Sequence, residues 1–393
     1  MRIAIDAMGG DRAPDEVVAG AVAAARDFNV TVLLVGDENA IRRCLPAAMR
    51  SGTLPHNIEI HPASQVVEMG ESPSQAHRTK KDSSIAVATR LHRDGKADAV
   101  LSAGNTGAAA TSALLTLKKI AGIDRPGIAT VFPTSRNPLV LLDAGANVDC
   151  RPRHLAEFAI MGAAYARTVK GIIPGTTHSL APGQLPKVGL LSIGEEASKG
   201  NDLTKSAYKL LEENAAKGNY VFYGNVEGRD IGLGTVEVVV CDGFVGNVVL
   251  KVAEGLAKMI SGALREALTT DLRSKAGALL LRPSLRNFKK RMDYAEYGGA
   301  VLLGVNGVCI ICHGSSDWRS IHSAIRIAKQ TVAANIVETI RAAAEQIGEG
   351  EGGLNGMNGE DDTSHPNGTS QENNGENGDA PQKKTKTRKS SKS

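Results

Sequence analysis

Polar residues that could bind an anion follow several apolar segments of the sequence. The segment 102–107 reads SAGNTG and stands between an apolar run and an Ala-rich stretch. Glycines let the backbone approach a ligand closely, and the start of a helix offers free N–H groups and the positive end of the helix dipole. This pattern is typical of an anion site, although Asn and Thr are also common helix caps.

Four further loops have the same character. They read DAMGGD (6–11), DAGANVD (143–149), GEEASKGN (194–201) and DGFVGN (242–247). In a doubly wound parallel sheet, ligands bind outside the carboxyl ends of the strands, so we expect the loops to meet at one edge of the sheet. The residues predicted to bind phosphate at this edge are Gly104, Asn105, Thr106, Gly107, Asn147, Gly246 and Asn247.

Three residues in or near these loops are candidates for catalysis: Lys199, His313 and Asp242. Lys199 could stabilise negative charge that develops during a reaction. His313 could protonate a leaving group or hydrogen-bond an anion, although a histidine at this place could also simply cap a turn. Acidic residues of the loops (Asp6, Asp11, Asp143 and Asp242) could hold a divalent ion, but such carboxylates often serve as caps, and we predict no metal site.

Apolar runs of strand length alternate with Ala-rich stretches of helical length. Predicted strands cover 2–6, 31–35, 58–61, 98–102, 128–132, 139–143, 187–192, 220–223, 236–241 and 307–312, and predicted helices cover 14–28, 82–94, 105–120, 152–170 and 246–269. Most of these strands are continuous apolar runs, which is typical of strands buried on both faces. The pattern predicts an α/β fold with a doubly wound, largely parallel sheet sandwiched by helices.

Composition excludes several classes of protein. The net charge of +4 and the 3% of aromatic residues do not indicate a nucleic-acid binder. The loops contain neither the dinucleotide fingerprint GxGxxG with a following acid nor the GxxxxGK[ST] phosphate loop. The sequence shows no signal peptide and no run long enough to span a membrane, so we expect a cytoplasmic protein with its five cysteines reduced. The pattern CxxCH at 309–313 is therefore interpreted as a strand entering a turn and not as a haem attachment site.

Three segments depart from the alternating pattern. Residues 171–186 are rich in Gly, Pro and Thr and predict an exposed loop. A helical protrusion is expected at about 255–293, within an α/β domain that spans 1–347. Residues 348–393 are too polar to offset their ordering entropy, which predicts a disordered low-complexity tail.

Two surfaces are candidates for contact with partners. Arg78, Lys80 and Lys81 precede a predicted helix and could grip phosphate or dock an acidic protein, or they could be a solvated charge run. In the protrusion, the spacing of Leu264, Leu268 and Leu272 favours a dimer seam. The tip residues predicted to touch an anionic membrane are Leu279, Leu280, Leu281 and Arg282, and an exposed basic helix pair is the alternative.

Eight motifs occur in an order that points to one family. They read DAMGGD, SAGNTG, DAGANVD, GEEASKGN, GNVEGRD, CDGFVGNVVLK, EYGGAVLLG and HGSSD. Together they resemble the bacterial phosphate acyltransferase family of phospholipid synthesis, and the resemblance covers roughly residues 1–345.

The resemblance implies a reaction and a set of partners. A long-chain fatty acyl group would pass, reversibly, from an acyl carrier protein thioester to inorganic phosphate, and the acyl phosphate would go to a membrane glycerol-3-phosphate acyltransferase. The family resemblance also implies a fold like that of isocitrate and isopropylmalate dehydrogenases and of phosphate acetyltransferase, a homodimer, peripheral membrane contact and no cofactor. Phosphate is itself a nucleophile, so an enzyme of this kind has to desolvate and orient it but does not need an acyl-enzyme on Cys241.

Three other functions compete with this interpretation. A coenzyme A-dependent phosphate acetyltransferase shares the chemistry, and the apolar and basic tip favours a long acyl chain and a carrier protein instead. A non-catalytic scaffold that recruits enzymes to the membrane would not need loops so dense in Asn, Lys and Asp. A β-hydroxyacid dehydrogenase on the same fold would bind a nicotinamide, and a binding measurement distinguishes it.

Overall fold

A long sheet organises the protein in the computed structural model, which describes residues 1–50, 53–168, 180–181, 183–286 and 298–348. These residues all belong to one unit, Met1–Glu351. Within the described residues the strands are β1 Arg2–Asp6, β2 Thr31–Gly36, β3 Ile58–Pro62, β4 Ala99–Ser102, β5 Gly127–Phe132, β6 Leu139–Leu142, β7 Lys187–Leu191, β8 Val221–Val226, β9 Val238–Val240, β10 Ala300–Leu303 and β11 Cys309–Ile311. They lie in the order β3-β2-β1-β4-β11-β10-β5-β6-β9-β7-β8.

Helices follow most of the strands. They are α1 Asp15–Phe28, α2 Glu38–Cys44, α3 Ala47–Arg50, α4 Pro73–Thr79, α5 Ser84–Arg93, α6 Thr106–Leu117, α7 Pro152–Thr168, α8 Asp202–Ala215, α9 Gly228–Leu233, α10 Gly243–Thr269, α11 Leu272–Leu280, α12 Trp318–Ala333 and α13 Ile336–Gly348. Alternate side chains of β1 enter two different apolar clusters: Ile3 and Ile5 face the cluster of α1, α7 and α12, and Ala4 faces the cluster of α5 and α6. Both faces of the sheet are covered by helices, and most of its strand pairs are parallel. The prediction of a largely parallel sheet sandwiched by helices is therefore confirmed.

The two halves of the sheet run in opposite directions. Seven of the ten neighbouring strand pairs are parallel, but β11 with β10, β10 with β5 and β5 with β6 are antiparallel. Strands β3, β2, β1, β4 and β11 therefore point one way, and β6, β9, β7 and β8 point the other way. The expectation that all five polar loops meet at one edge was wrong, because the carboxyl ends of β4 and β6 lie at opposite edges.

The cause of this error is visible in the sequence. Strand β10, in the motif EYGGAVLLG, was not predicted, but it is antiparallel to both β11 and β5, so the net reversal occurs between β5 and β6. Residues 133–138 between β5 and β6 are too few for a crossover helix, which a parallel pair would need. That short connection was the available signal that β6 turns back.

Some predicted segments fall wholly or partly outside the described residues. These are most of the loop 171–186, the end of the protrusion at 287–293 and the tail from 349 onward. Among the helices that the structure describes, none is long and apolar enough to cross a membrane.

Candidate active site

A cavity of about 1150 Å³ lies along helix α6 on one face of the sheet. Its apolar middle is lined by Leu114 of α6 and by two buried residues of the sheet, Ile128 and Leu302. Helix α6 starts at the carboxyl end of β4, and Lys119 just past its end pairs with Val305 just past β10. The cavity therefore runs from one edge of the sheet to the other, and this cleft has two chemically different ends.

The first end, called the α6 end, is formed by the first turn of α6. Thr106 and Gly107 line the cavity. As the first two residues of α6, their backbone N–H groups have no partner within the helix, and they bond no described residue outside it. The side chain of Asn105 is fully used in the fold. Its Oδ1 accepts the N–H of Ala108 at 3.0 Å, and its Nδ2 donates to the carbonyl of Met69 at 2.9 Å. Asn105 therefore shapes the α6 end without offering a free donor to a ligand.

Two predicted glycines lie away from the cavity. Gly104 is packed against Gly9, and its N–H donates to Ser102 Oγ at 3.1 Å. Gly246 is buried in the first turn of α10. Both glycines allow close packing of the loops around the cleft, and neither is among the residues that line it.

The second end of the cleft, called the basic end, lies at the opposite edge of the sheet. It is lined by Asn147 and Asn247, two of the residues that the sequence analysis assigned to a phosphate site. The structure adds four cationic residues that the sequence analysis did not single out: Lys118, Lys119, Arg125 and Arg151. The signal was weak, because Arg125 and Arg151 each precede a proline in loops that lack the Gly-Asn pattern.

Asp143 holds the loop of the basic end in place. Its carboxylate is fully buried and accepts five N–H groups, from the backbone of Ile128, Gly145, Ala146 and Asn147 and from Asn147 Nδ2, at 2.7 to 3.1 Å. Burial raises the pKa of Asp143, and the backbone donors act in the opposite direction. With every lone-pair direction occupied, Asp143 orients this loop and does not carry a proton to a ligand.

Helix α10 begins against the same loop. The N–H of Gly243 donates to the carbonyl of Asn147 at 2.7 Å, and a β-carbon placed on Gly145 would lie 3.5 Å from Asn247 Cβ. Asp242, predicted to be catalytic, caps α10, because its Oδ1 accepts the N–H of Val245 at 2.9 Å. This contact makes Asp242 a positioning residue for Asn247.

His313 lies beyond the end of β11, at the same edge as the α6 end. Its Nε2 is 3.1 Å from Lys251 Nζ, and its Nδ1 is 2.8 Å from Ser315 Oγ. Lys251 also bonds the largely buried carboxylate of Glu254 at 3.0 Å. The loop of His313 reaches the other loops of this edge, since the N–H of Asp11 donates to the carbonyl of Gly314 at 2.8 Å.

Lys199 is exposed on the loop after β7 and does not line the cavity. It lies at the same edge as the basic end, with β9 between its own strand and β6. The structure therefore places Lys199 and Asp242 at one edge and His313 at the other, so the three predicted catalytic residues do not form one cluster.

The three cations predicted for carrier contact have different surroundings. Arg78 and Lys81 are exposed at the end of α4 and beyond it. Lys80 is half-buried and bonds the carboxylate of Glu71 and the carbonyl of Val66, so its charge is already used in the fold. Helix α4 lies at the α6 end, where its Pro73 lines the cavity.

The cysteines are poor candidates for a nucleophile. The five thiols are free, and Cys241 is 3% exposed. Burial and the neighbouring Asp242 raise the pKa of Cys241 well above its usual range. Because the thiolate is the reactive form, this thiol is inert at neutral pH. Among the described residues, no group of three His, Cys, Asp or Glu side chains is placed to hold a metal ion.

The protrusion exposes apolar residues. In α10, only Gly243 and Gly246 are fully buried, and Val248, Val252, Leu256, Met259 and Ile260 are exposed. Leu264 and Leu268 of the predicted seam are half-buried within the chain itself, whereas Leu272 is 83% exposed. At the tip, Leu279 is 69% and Leu280 is 83% exposed.

Known proteins resemble this chain in sequence and in fold. A family model described as fatty acid synthesis protein matches residues 1–339. The phosphate acyltransferase of Pelotomaculum thermopropionicum is 50% identical over 347 residues, which cover 88% of this chain and 96% of the relative. The phosphate acyltransferase of Desulfitobacterium hafniense is 51% identical over 342 residues, which cover 87% of this chain and 97% of the relative.

Solved structures share the architecture at much lower identity. A phosphotransacetylase from Streptococcus pyogenes matches with a TM-score of 0.52 at 16% identity, covering 88% of this chain and 94% of that one. A phosphotransacetylase from Staphylococcus aureus matches with a TM-score of 0.50 at 17% identity and the same coverage. These similarities show a common fold. The family model and the half-identical relatives, which match along almost their whole length, confirm the resemblance that the ordered motifs indicated. The chain belongs to the phosphate acyltransferase family.

Proposed function

We propose that the chain transfers a long-chain fatty acyl group from the thioester of acyl carrier protein to inorganic phosphate, reversibly, and releases an acyl phosphate for phospholipid synthesis. The observation that carries this proposal is the cleft, in which two ends that favour phosphate groups are joined by an apolar stretch. The donor brings a phosphodiester in its pantetheine arm and the acceptor is a phosphate, so two such ends are required. The relatives named phosphate acyltransferases support the same reaction.

The donor would enter at the α6 end. Helix α4 starts at this end with Pro73 and leads to the exposed cations Arg78 and Lys81, which suit the acidic surface of a carrier protein. The phosphodiester of the arm is attached directly to the carrier, so it stays near the carrier's surface. The free N–H groups of Thr106 and Gly107 are placed to receive it, and His313 at the same edge adds a further donor.

The chemical step would then take place toward the basic end. A phosphate oxygen attacks the thioester carbonyl, the new carbon–oxygen bond forms, and the carbon–sulfur bond breaks with the electron pair leaving on sulfur. Lys199 at this edge would approach the cleft and stabilise the oxyanion of the tetrahedral intermediate. No covalent acyl-enzyme is needed, in agreement with the burial of Cys241.

The experiment that tests the function is a turnover assay with the full chain. Free carrier thiol should be released from long-chain acyl carrier protein only when inorganic phosphate is present, with one acyl phosphate formed per thiol. The same acyl group on coenzyme A is the parallel arm, and we expect slower turnover of it. Absence of phosphate-dependent release from either donor would refute acyl transfer, and a preference for the coenzyme A donor would refute the carrier assignment.

We also propose that α10 pairs with a second copy of the chain. The exposed residues Val248, Val252 and Met259 recur at helical spacing, so they present one apolar face along the helix. A homodimer would cover this face. Replacement Val252→Glu should then convert the dimer into a monomer in sedimentation equilibrium, and a protein that is monomeric before the change would contradict the proposal.

The tip is proposed to touch an anionic membrane, where a glycerol-3-phosphate acyltransferase would consume the product. Exposed Leu279, Leu280 and Leu281 would enter the lipid surface, and Arg282 would meet its anionic headgroups. Replacing the three leucines by Ser should abolish co-sedimentation with phosphatidylglycerol vesicles. Unchanged co-sedimentation would refute this role of the tip.

A further inference from the structure

The basic end of the cleft carries more positive charge than the fold uses. Four cations, Lys118, Lys119, Arg125 and Arg151, and one carboxylate, Asp124, line it. Asp124 is already paired, because its Oδ2 is 3.4 Å from Arg153 Nε outside the cavity. Lys119 Nζ donates to the carbonyl of Asp124 at 3.0 Å.

The side chains of the other three cations are not paired in this way. No residue that the structure describes forms a hydrogen bond or an ion pair with the side chain of Lys118, Arg125 or Arg151. Arginine presents a planar fork that matches the oxygens of a phosphate group. The charge of this end is therefore available to a ligand.

A buried imidazole faces the same space. His154 lines the cavity from the first turn of α7, is 7% exposed, and accepts the N–H of Arg151 on Nδ1 at 3.0 Å. Burial, and then the charge of Arg125, lower the pKa of His154, so the ring is neutral near pH 7. With Nδ1 as acceptor, the neutral ring carries its proton on Nε2, and no described residue accepts that proton.

We propose that Lys118, Arg125, Arg151 and His154 form a phosphate-group subsite at the basic end. The start of α7 adds the positive end of a 17-residue helix. Asn247 lies next to Gly145 at this end and supplies an amide. Cations, a helix start, an amide and a neutral N–H donor together favour a compact anion with several oxygens.

This subsite is separate from the α6 end. Helix α6 has 12 residues, so its two ends are about 18 Å apart, and one phosphate group cannot touch both. The proposed function offers two sources of such a group, the acceptor phosphate and the phosphodiester of the donor. Helix α4 starts at the α6 end with Pro73 and leads to the exposed Arg78 and Lys81, so the carrier and its phosphodiester are expected at this end. The basic end then receives the acceptor phosphate.

The test compares Arg125→Ala and Arg151→Ala with the matched control Lys205→Ala. Lys205 is an exposed cation on α8 that does not line the cavity, so its loss changes the net charge alone. Steady-state rates are measured with acyl pantetheine and with acyl 4′-phosphopantetheine as minimal donors, over a range of phosphate concentrations. Circular dichroism and thermal unfolding show that each variant is folded.

For the acceptor phosphate, we expect KM for phosphate to rise at least about tenfold in both arginine variants, equally with either donor. If the subsite holds the donor phosphodiester, kcat/KM should fall about tenfold for the phosphorylated donor only. Either result supports the subsite and identifies its source. The subsite would be refuted if, with both donors, KM for phosphate and kcat/KM of the arginine variants lie within twofold of the values for Lys205→Ala.

A binding measurement tests the subsite independently of the proposed function. The inference rests on that function only for the choice of the two ligands. The chain is titrated calorimetrically with inorganic phosphate and with 4′-phosphopantetheine, without any turnover. Arg125→Ala should weaken the binding of one of the two ligands at least about tenfold, and Arg151→Lys, which keeps the charge but loses the fork, should weaken it less. If no donor is turned over but Arg125→Ala still weakens the binding of one ligand, the proposed acyl transfer is refuted and the subsite is supported. Equal binding by all variants overturns the subsite.

Discussion

The two ends of the cleft offer hydrogen-bond donors to a ligand by different means. At the α6 end, the donors are backbone N–H groups of Thr106 and Gly107, whose positions are set by the helix itself. At the basic end, they are side chains of Lys118, Arg125 and Arg151 carried by loops and by the start of α7. Backbone donors cannot be titrated or removed by substitution of a side chain, whereas the basic end can be removed one charge at a time. The α6 end is therefore tested through a neighbouring side chain, His313, whereas the basic end can be tested both through its geometry and through its charges.

The largest expected effect comes from breaking the geometry of the basic end. In Gly246→Ala, the new β-carbon would lie 1.9 Å from the carbonyl oxygen of Asp143, so α10 must move away from the loop that carries Asn147. We expect a loss of at least about 2 kcal/mol in the free energy of unfolding. Urea unfolding measures it, and turnover should fall more than about tenfold because Asn247 moves with α10.

The matched control lies in the same helix. A β-carbon on Gly255 would meet no atom of the described chain within 4 Å. Gly255→Ala should therefore leave the stability unchanged or raise it by up to about 1 kcal/mol, because alanine favours the helix. Equal destabilisation by both substitutions would show that the contact with the Asp143 loop is not what holds α10.

A second prediction concerns charge at the edge of the basic end. Lys199→Ala should lower kcat by more than about tenfold if Lys199 stabilises the developing oxyanion. Lys199 is exposed and its stem lies over Gly194, so circular dichroism and thermal unfolding are used to show that the variant is folded. Lys205→Ala, on the following helix, is the control for loss of one positive charge. A kcat within twofold of that control would remove Lys199 from the catalytic proposal.

The α6 end is tested through His313. The ring lies between Lys251 and Ser315 at the edge where the donor is proposed to enter. His313→Ala should raise KM for the acyl donor about three- to tenfold and change kcat less, as expected for the loss of one hydrogen bond to the donor. If kcat falls and KM stays constant, His313 is instead the acid that protonates the leaving thiolate.

The smallest effect is expected at Cys241. Its thiol is buried, and burial raises its pKa well above the usual range, so it cannot serve as a nucleophile at neutral pH. Cys241→Ala should retain most of the activity, as should Cys309→Ala, which is equally buried. Complete loss of turnover in a folded Cys241→Ala protein, with Cys309→Ala active, would contradict direct attack by phosphate.

The sequence alone determined most of the elements and the family. Continuous apolar runs predict strands buried on both faces, and ten of the eleven described strands lie where those runs indicate. The start of α6 was also predictable, since a strand followed by SAGNTG and an Ala-rich stretch requires a capped helix. These features depend on neighbours close in sequence, so local patterns are sufficient to reveal them.

Only the tertiary structure decided how the loops are grouped. The turn between β5 and β6 reverses the second half of the sheet, which separates His313 from Lys199 and divides the predicted phosphate residues between two ends. The same reversal brings Arg125 and Arg151 to Asn147 and Asn247. The physical reason is that the neighbours of a strand are set by pairing between residues far apart in the chain, such as β5 with β10 and β6 with β9. The arrangement of the strands at the centre of the sheet, with its single net reversal between β5 and β6, therefore decides which polar side chains share a cleft.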